Sequence, residues 1–473
     1  MKKKSILLLS FLLILSFIYL NRIFSTSNHY VNTFESFKAL AENTNIDVLF
    51  FGSSHAYTAF NPLIIDKESK TVSFNLGSDA LRVPFTDLII EEALKKTNPE
   101  LIVIEIYPPS IPGPENDLIK GYQLRALDMI SNFSLKKQEK IERFYTNKEL
   151  AGVYFPLIRN HNKWNEMKYF KLSRKENFNE NTTFFNNGYI GFNTVIDSLG
   201  RSKFNGFKEI IAYPEHKKTK IDETGKRDIV ELIRVAKSQG SQVLVVSSPD
   251  LRAKFDWSES FLDDLKNICE QQEINYLNLN NHYNEMGLNI IDFRDPSHLN
   301  IQGAIKTSKY LSSYINKNYK LKDRSSEPIW DSMNKIYIGF NERNKTASFQ
   351  KQLKFNFIKE IQLKMIEMKI LNNKLNAKIY IDKTNYSKRE NKKYSISLKI
   401  FPYNIDELSD YSKSRNWDFD KVDIKLKDKD SILNFQLNSK IKEVKQLELF
   451  LFNSEQYKGV VGEKLVLKNI EFQ

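Results

Sequence analysis

Between residues 45 and 320, short apolar runs alternate with longer stretches in which hydrophobic residues recur every three or four positions. Short runs of this kind are typical of strands buried on both faces, and the longer stretches are typical of amphipathic helices. The predicted strands are 46–51, 71–75, 101–107, 242–247 and 274–278. The predicted helices are 83–96, 229–238, 259–272 and 301–317. This alternation predicts an α/β fold with a parallel five-stranded sheet covered by helices.

The stretch from about 108 to 228 interrupts this alternation and contains no clear signal for a parallel strand. It opens with two prolines and continues through helical and aromatic segments. Because it follows the third predicted strand, it is expected at the carboxyl edge of the sheet, where ligands bind. We interpret it as an insertion that forms either a lid or substrate platform, or helices that simply pack against the sheet.

Beyond residue 320 the pattern changes. Residues 321–333 are polar, contain a proline and are typical of a linker. From 334 to 473, apolar and polar residues alternate with the period of two that is typical of strands. The alternating runs are 335–340, 377–384, 394–401, 422–427, 432–437, 445–452 and 464–472. They predict an all-β antiparallel sandwich or jelly roll, whereas residues 357–375 fit a helix or a strand.

The N-terminus combines three lysines at positions 2–4 with an uncharged apolar run from 5 to 20. A basic flank followed by an apolar core is typical of a secretory signal. We interpret residues 1–24 as an uncleaved signal anchor, with a cleaved signal peptide as the alternative. Either interpretation places the rest of the chain outside the cytoplasm. An uncleaved anchor would keep the protein in a bacterial cell envelope, whereas a cleaved signal peptide would give a secreted protein.

The formal net charge of +13 is unevenly distributed, because +9 of it lies in residues 331–473. The α/β region carries little net charge beyond its N-terminal lysines, so no nucleic-acid partner is expected. The single cysteine, Cys269, excludes an intramolecular disulfide and a Cys-rich metal site. The six histidines do not have metal-ligand spacing on a predicted helix, so we expect no metal and no cofactor.

Candidate chemistry begins where the first predicted strand runs into Gly-Ser-Ser-His at positions 52–55. A serine at this point, Ser54, would present its hydroxyl to the ligand crevice and its own N–H to a developing oxyanion. Gly52 allows a tight turn. The second strand ends at Gly77, which would direct another N–H toward the same crevice. The alternatives are a helix N-cap for the serines and a generic turn for Gly77.

A second polar loop contains Asp295 and His298, followed by a helix. The short spacing would let the Asp295 carboxylate hold one ring nitrogen of His298 while the other nitrogen faces Ser54. His298 would then be the general base for a serine nucleophile. The alternative is that Asp295 caps a turn and His298 is a surface histidine.

Together these elements resemble the SGNH (GDSL-like) hydrolase superfamily over roughly residues 45–320. The Gly-Ser-Ser run ending at Ser54 matches the nucleophile block, Gly77 the glycine block, and Asp295-x-x-His298 the terminal block. The resemblance implies a three-layer αβα, flavodoxin-like domain, a Ser-His-Asp triad and an oxyanion site formed by the amides of Ser54 and Gly77. The sequence looks closest to the membrane-anchored branch, which includes proteins of polysaccharide O-acetylation and teichoic-acid D-alanylation.

The chain departs from the superfamily at its Gly-x-Asn-Asp block, whose asparagine donates to the oxyanion. Residues 104–109 read Ile-Glu-Ile-Tyr-Pro-Pro instead. His161 and its asparagine neighbours in the insertion are candidates for a replacement donor, or are surface polar groups. Glu105 is a candidate for lining the site, or pairs with a basic neighbour. His55 is a candidate for contacting substrate, or faces the first helix.

We therefore expect an extracytoplasmic serine acyl-ester enzyme, an O-acyl(acetyl)transferase or an esterase acting on cell-surface or exported polysaccharide. Its partners would be a glycan, an acyl donor and, for a transferase, a membrane-bound O-acyltransferase, with the N-terminal helix in the membrane. The alternative is a catalytically inactive SGNH scaffold for glycan binding or polysaccharide export. The region 334–473 is a candidate carbohydrate-binding domain through Tyr403, Trp417 and Tyr457, unless these aromatics fill its core.

Overall fold

The computed structural model describes most of the chain in two compact units. The described residues are 2–24, 29–165, 182–192, 194–196, 220–343, 347–359, 361–371, 374–382, 394–402, 408, 412, 415–424, 430–440, 444–453 and 460–470. The first unit draws on 1–192, 209–288 and 297–331, and the second on 193–208, 289–296 and 332–473.

The first unit alternates helices and strands. Its helices are α1 (Lys2–Ile23), α2 (His29–Ala41), α3 (Ser54–Ala59), α4 (Pro62–Ser69), α5 (Val83–Leu94), α6 (Asp117–Leu127), α7 (Leu135–Phe144), α8 (Leu150–Tyr154), α9 (Pro156–Arg159), α10 (Glu223–Ala236), α11 (Ala253–Asp256), α12 (Glu259–Gln271), α13 (Tyr283–Met286) and α14 (Ile301–Asn318). Its longer strands are β1 (Val48–Phe51), β2 (Ser73–Asn75), β3 (Leu101–Glu105), β4 (Thr182–Asn186), β5 (Tyr189–Phe192), β6 (Gln242–Ser247) and β7 (Asn275–Asn278). Two short strands follow in the chain, β8 (Phe293–Asp295) and β9 (His298–Leu299).

Five strands form the central sheet in the order β2-β1-β3-β6-β7, with every neighbouring pair parallel. Val48 lies opposite both Ser73 and Leu101, so β1 is enclosed between two neighbours. This is the doubly wound, flavodoxin-like order, and the predicted five-stranded α/β sheet is confirmed. All residues of β1 and β3 are buried, which explains why both strands are apolar in sequence except for Glu105 at the end of β3.

Capping residues set where several helices begin. Asn61 accepts from the Leu63 N–H ahead of α4, and Asp222 accepts from the Gly225 N–H ahead of α10. Helix α10 consequently begins at Glu223, six positions before the predicted start at 229. The insertion predicted to extend to about 228 therefore overlaps a helix that packs on α5.

The described part of the insertion contains α6–α9 and the β4–β5 hairpin, and none of these described residues joins the parallel sheet. Lys136 and Lys140 of α7 each lie 3.1 Å from the Asp87 carboxylate on α5. In the hairpin turn, the Asn187 carbonyl accepts from the Asn75 N–H at 2.8 Å. These segments pack on α5 and on the carboxyl end of β2, and the lid or platform interpretation stays open.

Helix α1 covers the predicted signal anchor and presents many exposed apolar side chains, such as Leu13, which is 62% exposed. Its last turns contact α9: the rings of Phe17 and Phe155 are 5.3 Å apart, and Asn160 Nδ2 donates to the Phe24 carbonyl at 2.7 Å. Within the described ranges, none of the helices combines the length and apolar character needed to span a membrane.

The second unit consists mainly of antiparallel strands. They are β10 (Ala347–Ile358), β11 (Ile361–Leu371), β12 (Lys374–Asp382), β13 (Tyr394–Pro402), β14 (Asp418–Asp423), β15 (Asp430–Lys440), β16 (Val444–Asn453) and β17 (Val460–Ile470). They form two four-stranded sheets, β10-β11-β12-β15 and β14-β13-β16-β17, whose buried aliphatic residues share one core. The predicted C-terminal all-β sandwich is confirmed. The described residues of 357–375 lie in β10, β11 and β12, with a turn at 359, rather than in a helix.

The strand predicted at 335–340 is wrong, because these residues lie in helix α15 (Pro328–Arg343). Alternation of apolar and polar residues over only six positions does not distinguish a strand from a helix. The proline at the first position of α15 favours a helix. A strand would place Ile336, Ile338 and Phe340 on one face. In the structure Ile336 and Ile338 are 41% and 55% exposed, whereas Phe340 is buried.

Candidate active site

Ser54 and His298 meet at the carboxyl edge of the parallel sheet. Ser54 is the first residue of α3, directly after β1, and His298 is the first residue of β9, just before α14. The Ser54 Oγ lies 2.8 Å from the His298 Nε2, within hydrogen-bonding distance. Both residues are half-buried, so the pair is open to a ligand. The structure thus brings together two of the predicted site residues that are far apart in sequence.

Contacts between α14 and the α3–α4 turn hold this pair in place. The Ser308 hydroxyl on α14 donates to the Ala59 carbonyl at 3.2 Å and accepts from the Asn61 N–H at 2.9 Å. The Asn300 side chain caps α14 by accepting two amide hydrogens of its first turn. The helices next to Ser54 and His298 are therefore locked together by buried hydrogen bonds.

Glu105, at the end of β3, supports the turn that carries the nucleophile. Its Oε2 accepts from the Ser53 N–H at 3.1 Å and from the Ser53 hydroxyl at 2.9 Å. Burial raises the pKa of Glu105 to about 7, and its hydrogen bonds with Ser53 partly offset this rise. Gly52 has a φ of +143°, and a Cβ there would lie 2.7 Å from the Glu105 Cβ. Glu105 therefore stabilises the turn before Ser54 through its hydrogen bonds with Ser53. Among the described residues, the hydrogen bonds of the Glu105 side chain are to serines and not to a basic group.

Asn75, at the end of β2, is a positioning residue that the sequence did not single out. Its Nδ2 donates to the carbonyls of Ala56 and Phe60 at 2.9 Å each, and its Oδ1 accepts from the Gly77 N–H at 3.0 Å. The Gly77 N–H is thus bonded to Asn75, and its predicted donation to the oxyanion stays a prediction. The Ser54 N–H, by contrast, has no acceptor among the described residues.

His55 lies inside the site, where it stacks between two aromatic rings. Its ring centroid is 4.2 Å from that of Tyr107 and 4.8 Å from that of His298. His55 is only 3% exposed. The structure therefore places His55 against the candidate base, a position from which it orients His298, and its predicted contact with substrate stays a prediction.

Asp295 ends β8 and belongs to the second unit, whereas His298 belongs to the first. Its Oδ2 lies 3.2 Å from the Arg294 Nε. Both Asp295 and His298 have further interactions in the structure. The orientation of the His298 ring by Asp295 stays a prediction.

Two arginines at the same sheet edge were missed by sequence reasoning. Arg82 precedes α5 in the loop after β2, and Arg252 follows β6. Arg252 donates through Nε and one Nη to the carboxylate of Asp250, at 3.1 and 2.7 Å, and Asp250 is fully buried. The available signal was that each arginine lies in a polar loop after a buried strand. Such loops are common, so this signal did not distinguish Arg82 and Arg252 from other polar residues.

His161 lies away from the Ser54–His298 pair. It begins a 3₁₀ turn, is exposed, and its Nδ1 is 3.0 Å from the Ile158 carbonyl oxygen. It borders an open cavity of about 740 Å³ lined also by Lys120 and Glu149, and neither Ser54 nor His298 lines that cavity. The structure therefore does not bring His161 to the oxyanion position for which it was a candidate.

In the described part of the chain, no group of three or more His, Cys, Asp or Glu side chains is arranged to hold a metal ion. The residues that surround Ser54 are suited instead to hydrogen bonding and to proton transfer. The expectation that the chemistry needs no cofactor stays a prediction.

Comparisons with known proteins add little to this geometry. The sequence matches no family model, and no curated protein matches it. Among solved structures, the chain is similar to a Bacteroides fragilis protein described as a "putative acylhydrolase", with 14% identity, a TM-score of 0.28, and coverage of 59% of this chain and 93% of the other. It is also similar to a two-domain esterase active on acetylated mannans, with 8% identity, a TM-score of 0.29, and coverage of 93% and 96%. With TM-scores this low, the function has to be argued from the site.

Proposed function

We propose that this protein is a serine enzyme that breaks acyl esters, with Ser54 as nucleophile and His298 as general base. The observation that carries the proposal is the 2.8 Å distance between Ser54 Oγ and His298 Nε2 at the carboxyl edge of the sheet. A base within hydrogen-bonding reach of a hydroxyl is the arrangement that activates a serine. Glu105 and Asn75 hold the turns next to Ser54, and the His55 ring lies 4.8 Å from that of His298.

The reaction divides into two steps. Ser54 Oγ attacks the acyl carbon while its proton passes to His298 Nε2, and the Ser54 N–H stabilises the developing oxyanion. The imidazolium then protonates the leaving alkoxide, which departs and leaves an acyl-serine. In the second step His298 removes a proton from water or from a sugar hydroxyl, which attacks the acyl-serine and frees Ser54. Water gives an esterase, and a sugar hydroxyl gives an O-acyltransferase.

We further propose that Asp295 orients His298 and that the acceptor or substrate is an envelope polysaccharide. For His298 Nε2 to accept a proton, the ring hydrogen must sit on Nδ1, and a carboxylate is the usual partner there. The basic N-terminal flank followed by the exposed apolar side chains of α1 is typical of a secretory signal and supports an extracytoplasmic enzyme. A transferase of this kind would need an acyl donor and, across a membrane, a membrane-bound O-acyltransferase partner.

The test is labelling of the full chain with a fluorophosphonate, which reacts with activated serines. Wild-type protein is expected to label, Ser54→Ala not at all, and His298→Ala at a rate at least about 1,000-fold lower, because removing a triad base has effects of this size or larger. His161→Ala is the matched control and is expected to stay within twofold of wild type. Labelling that persists in Ser54→Ala would contradict the proposal.

A second candidate is an inactive scaffold that binds glycan without cleaving it. It is favoured by one observation: Gly77 donates to Asn75, so the described residues supply one clear oxyanion donor, the Ser54 N–H. Losing an oxyanion donor costs roughly 2.7–4 kcal/mol of transition-state stabilisation. Retained folding and glycan binding without any Ser54-dependent label would favour the scaffold over the enzyme.

A further inference from the structure

Arg82 is a buried cation whose guanidinium has no protein partner in the described part of the chain. The residue is only 8% exposed, and its Nε makes no hydrogen bond. An arginine stays charged at any pH a protein tolerates. Burying a charge without a counter-charge is costly, so such groups are normally paired or have a function. A bound anion would therefore supply the partner that the described residues do not give Arg82.

The loop that carries Arg82 is held firmly. Its neighbour Asp79 is paired with Arg125 of α6 and with the Tyr57 hydroxyl of α3. The Arg82 N–H donates to the side-chain oxygen of Gln123 on α6 at 3.0 Å. The nearest carboxylate in sequence is thus committed elsewhere, and the backbone of Arg82 is fixed by the insertion.

Arg82 and Arg252 lie in loops at the same sheet edge as Tyr107. Arg82 follows β2, Tyr107 follows β3 and Arg252 follows β6, so all three lie at the carboxyl edge of the sheet. Burial raises the pKa of Tyr107 to about 12 and Glu105 adds to the rise, whereas the charges of both arginines oppose it. Both guanidinium groups are therefore close enough to act on the Tyr107 hydroxyl.

Tyr107 in turn connects this pair to the catalytic centre, because its ring stacks on His55, which stacks on His298. Arg252 is oriented by its two side-chain bonds to Asp250, which leave one of its Nη groups without a partner among the described residues. Its side chain is 37% exposed. Two cationic groups with donors to spare thus lie at the same sheet edge as Ser54.

We propose that Arg82 and Arg252 form an anion subsite that binds a carboxylate or phosphate group of the substrate beside the ester cleaved at Ser54. Planar guanidinium groups match both anions through paired N–H donors. The substrate is then an acidic glycan, either a polyuronate or a phosphate-linked polymer. This inference rests on the proposed acyl-ester function for the role of the neighbouring ester, but anion binding itself is independent of catalysis.

The test measures binding to the full chain carrying Ser54→Ala, which cannot turn over substrate. Calorimetric titration compares trigalacturonate, a glycerol phosphate trimer and neutral mannotriose. One of the two anionic probes is expected to bind most tightly, and this identifies the carboxylate or the phosphate. Adding Arg82→Gln or Arg252→Gln should weaken its binding at least about 10-fold, the loss expected for a charge-assisted hydrogen-bonding pair. Arg227→Gln, on the exposed face of α10, is the matched control and should stay within twofold.

Equal binding of the anionic and neutral probes, or binding unaffected by Arg82→Gln and Arg252→Gln, would overturn the subsite. Thermal unfolding of Arg82→Met separates function from folding. Removing an unpaired buried charge should leave Tm unchanged or raise it, whereas a fall of several degrees would show a structural arginine and count against the proposal. Arginine-dependent anion binding together with failed fluorophosphonate labelling would refute the enzyme and leave the subsite standing.

Discussion

The two units of this protein use buried polar groups differently. In the α/β unit, Ser53, Asn75, Glu105 and Asp250 are all buried at the carboxyl ends of strands, and each makes several hydrogen bonds. In the antiparallel unit, the shared interior of the two sheets is built from aliphatic and aromatic residues that recur at every second position. Polar side chains such as Ser395, Asn434 and Glu448 are also buried there, but they lie far in sequence from the proposed nucleophile and base. Polar groups that are buried at a cost are retained where they position a reacting group. In our proposal the chemistry lies in the α/β unit, where these hydrogen-bonded polar groups surround Ser54 and His298.

The largest expected effect tests the turn at Gly52. A Cβ in Gly52→Ala would lie 2.7 Å from the Glu105 Cβ, at a φ of +143° that alanine strongly disfavours. The turn must shift, which should cost roughly 3 kcal/mol of stability and lower the labelling rate of Ser54 by about 100-fold. Urea unfolding and fluorophosphonate labelling measure the two quantities.

Gly121→Ala is the matched control for that change. A Cβ at Gly121 meets nothing within 4 Å, and the residue lies inside α6. Alanine there should stabilise the helix by about 0.5–1 kcal/mol and leave labelling unchanged. Equal labelling of Gly52→Ala and wild type would show that the turn does not position the nucleophile.

The next prediction concerns the antiparallel unit. Leu449 is fully buried in β16, opposite Leu398 of β13. Leu449→Ala should lower the free energy of unfolding of this unit by about 2–5 kcal/mol through lost burial and a cavity. Labelling of Ser54, measured where the variant is fully folded, should stay within twofold of wild type.

Val466→Ala, at a side chain 41% exposed, is the control and should change stability by less than about 0.5 kcal/mol. A loss of labelling in folded Leu449→Ala would break the contrast, because it would show that the antiparallel core contributes to the site.

The smallest expected effect is the pH dependence introduced by Glu105. Its pKa is raised from the ordinary 4.5 to about 7 by burial, so the native state binds this proton more tightly than the unfolded chain. The resulting stabilisation is complete below about pH 4.5 and is lost as the pH rises through about 7. In Glu105→Gln this dependence should vanish. The free energy of unfolding of the variant minus that of wild type should therefore rise by up to roughly 3 kcal/mol between pH 4.5 and pH 8.

Urea unfolding between pH 4.5 and 8 measures this difference, with Glu270→Gln as a control for an exposed carboxyl. If the stability of wild type and that of Glu105→Gln changed with pH in the same way, the raised pKa of the buried Glu105 carboxyl would be contradicted.

Part of the fold could be predicted from the sequence because buried parallel strands leave a strong signal. The runs at 46–51 and 242–247 predicted β1 to within two residues and β6 at its observed bounds, since both faces of these strands are largely covered and most positions are apolar. The helix at Pro328–Arg343 was missed, because six alternating residues carry too little information to separate the two periods.

Within the site, the sequence indicated Ser54 because it lies in a short polar motif after a predicted strand. It indicated His298 because it lies in a short polar motif before a predicted helix. It could not reveal that Glu105 bonds Ser53, that Asn75 occupies the Gly77 N–H, or that His55 stacks on His298. The strands β1, β2 and β3 are neighbours in the sheet and not in the chain, so contacts between their ends depend on strand order and register.

The hydrophobic pattern by itself thus determined an α/β unit followed by an antiparallel one. Strands buried on both faces appear as continuous apolar runs, whereas strands buried on one face show apolar residues at every second position. Only the tertiary structure decided which polar groups meet. It brought Ser54 within 2.8 Å of His298 across 244 positions of sequence and left Arg82 without a counter-charge in the described chain. Those outcomes depend on the packing of loops at one sheet edge, and no local pattern encodes that packing.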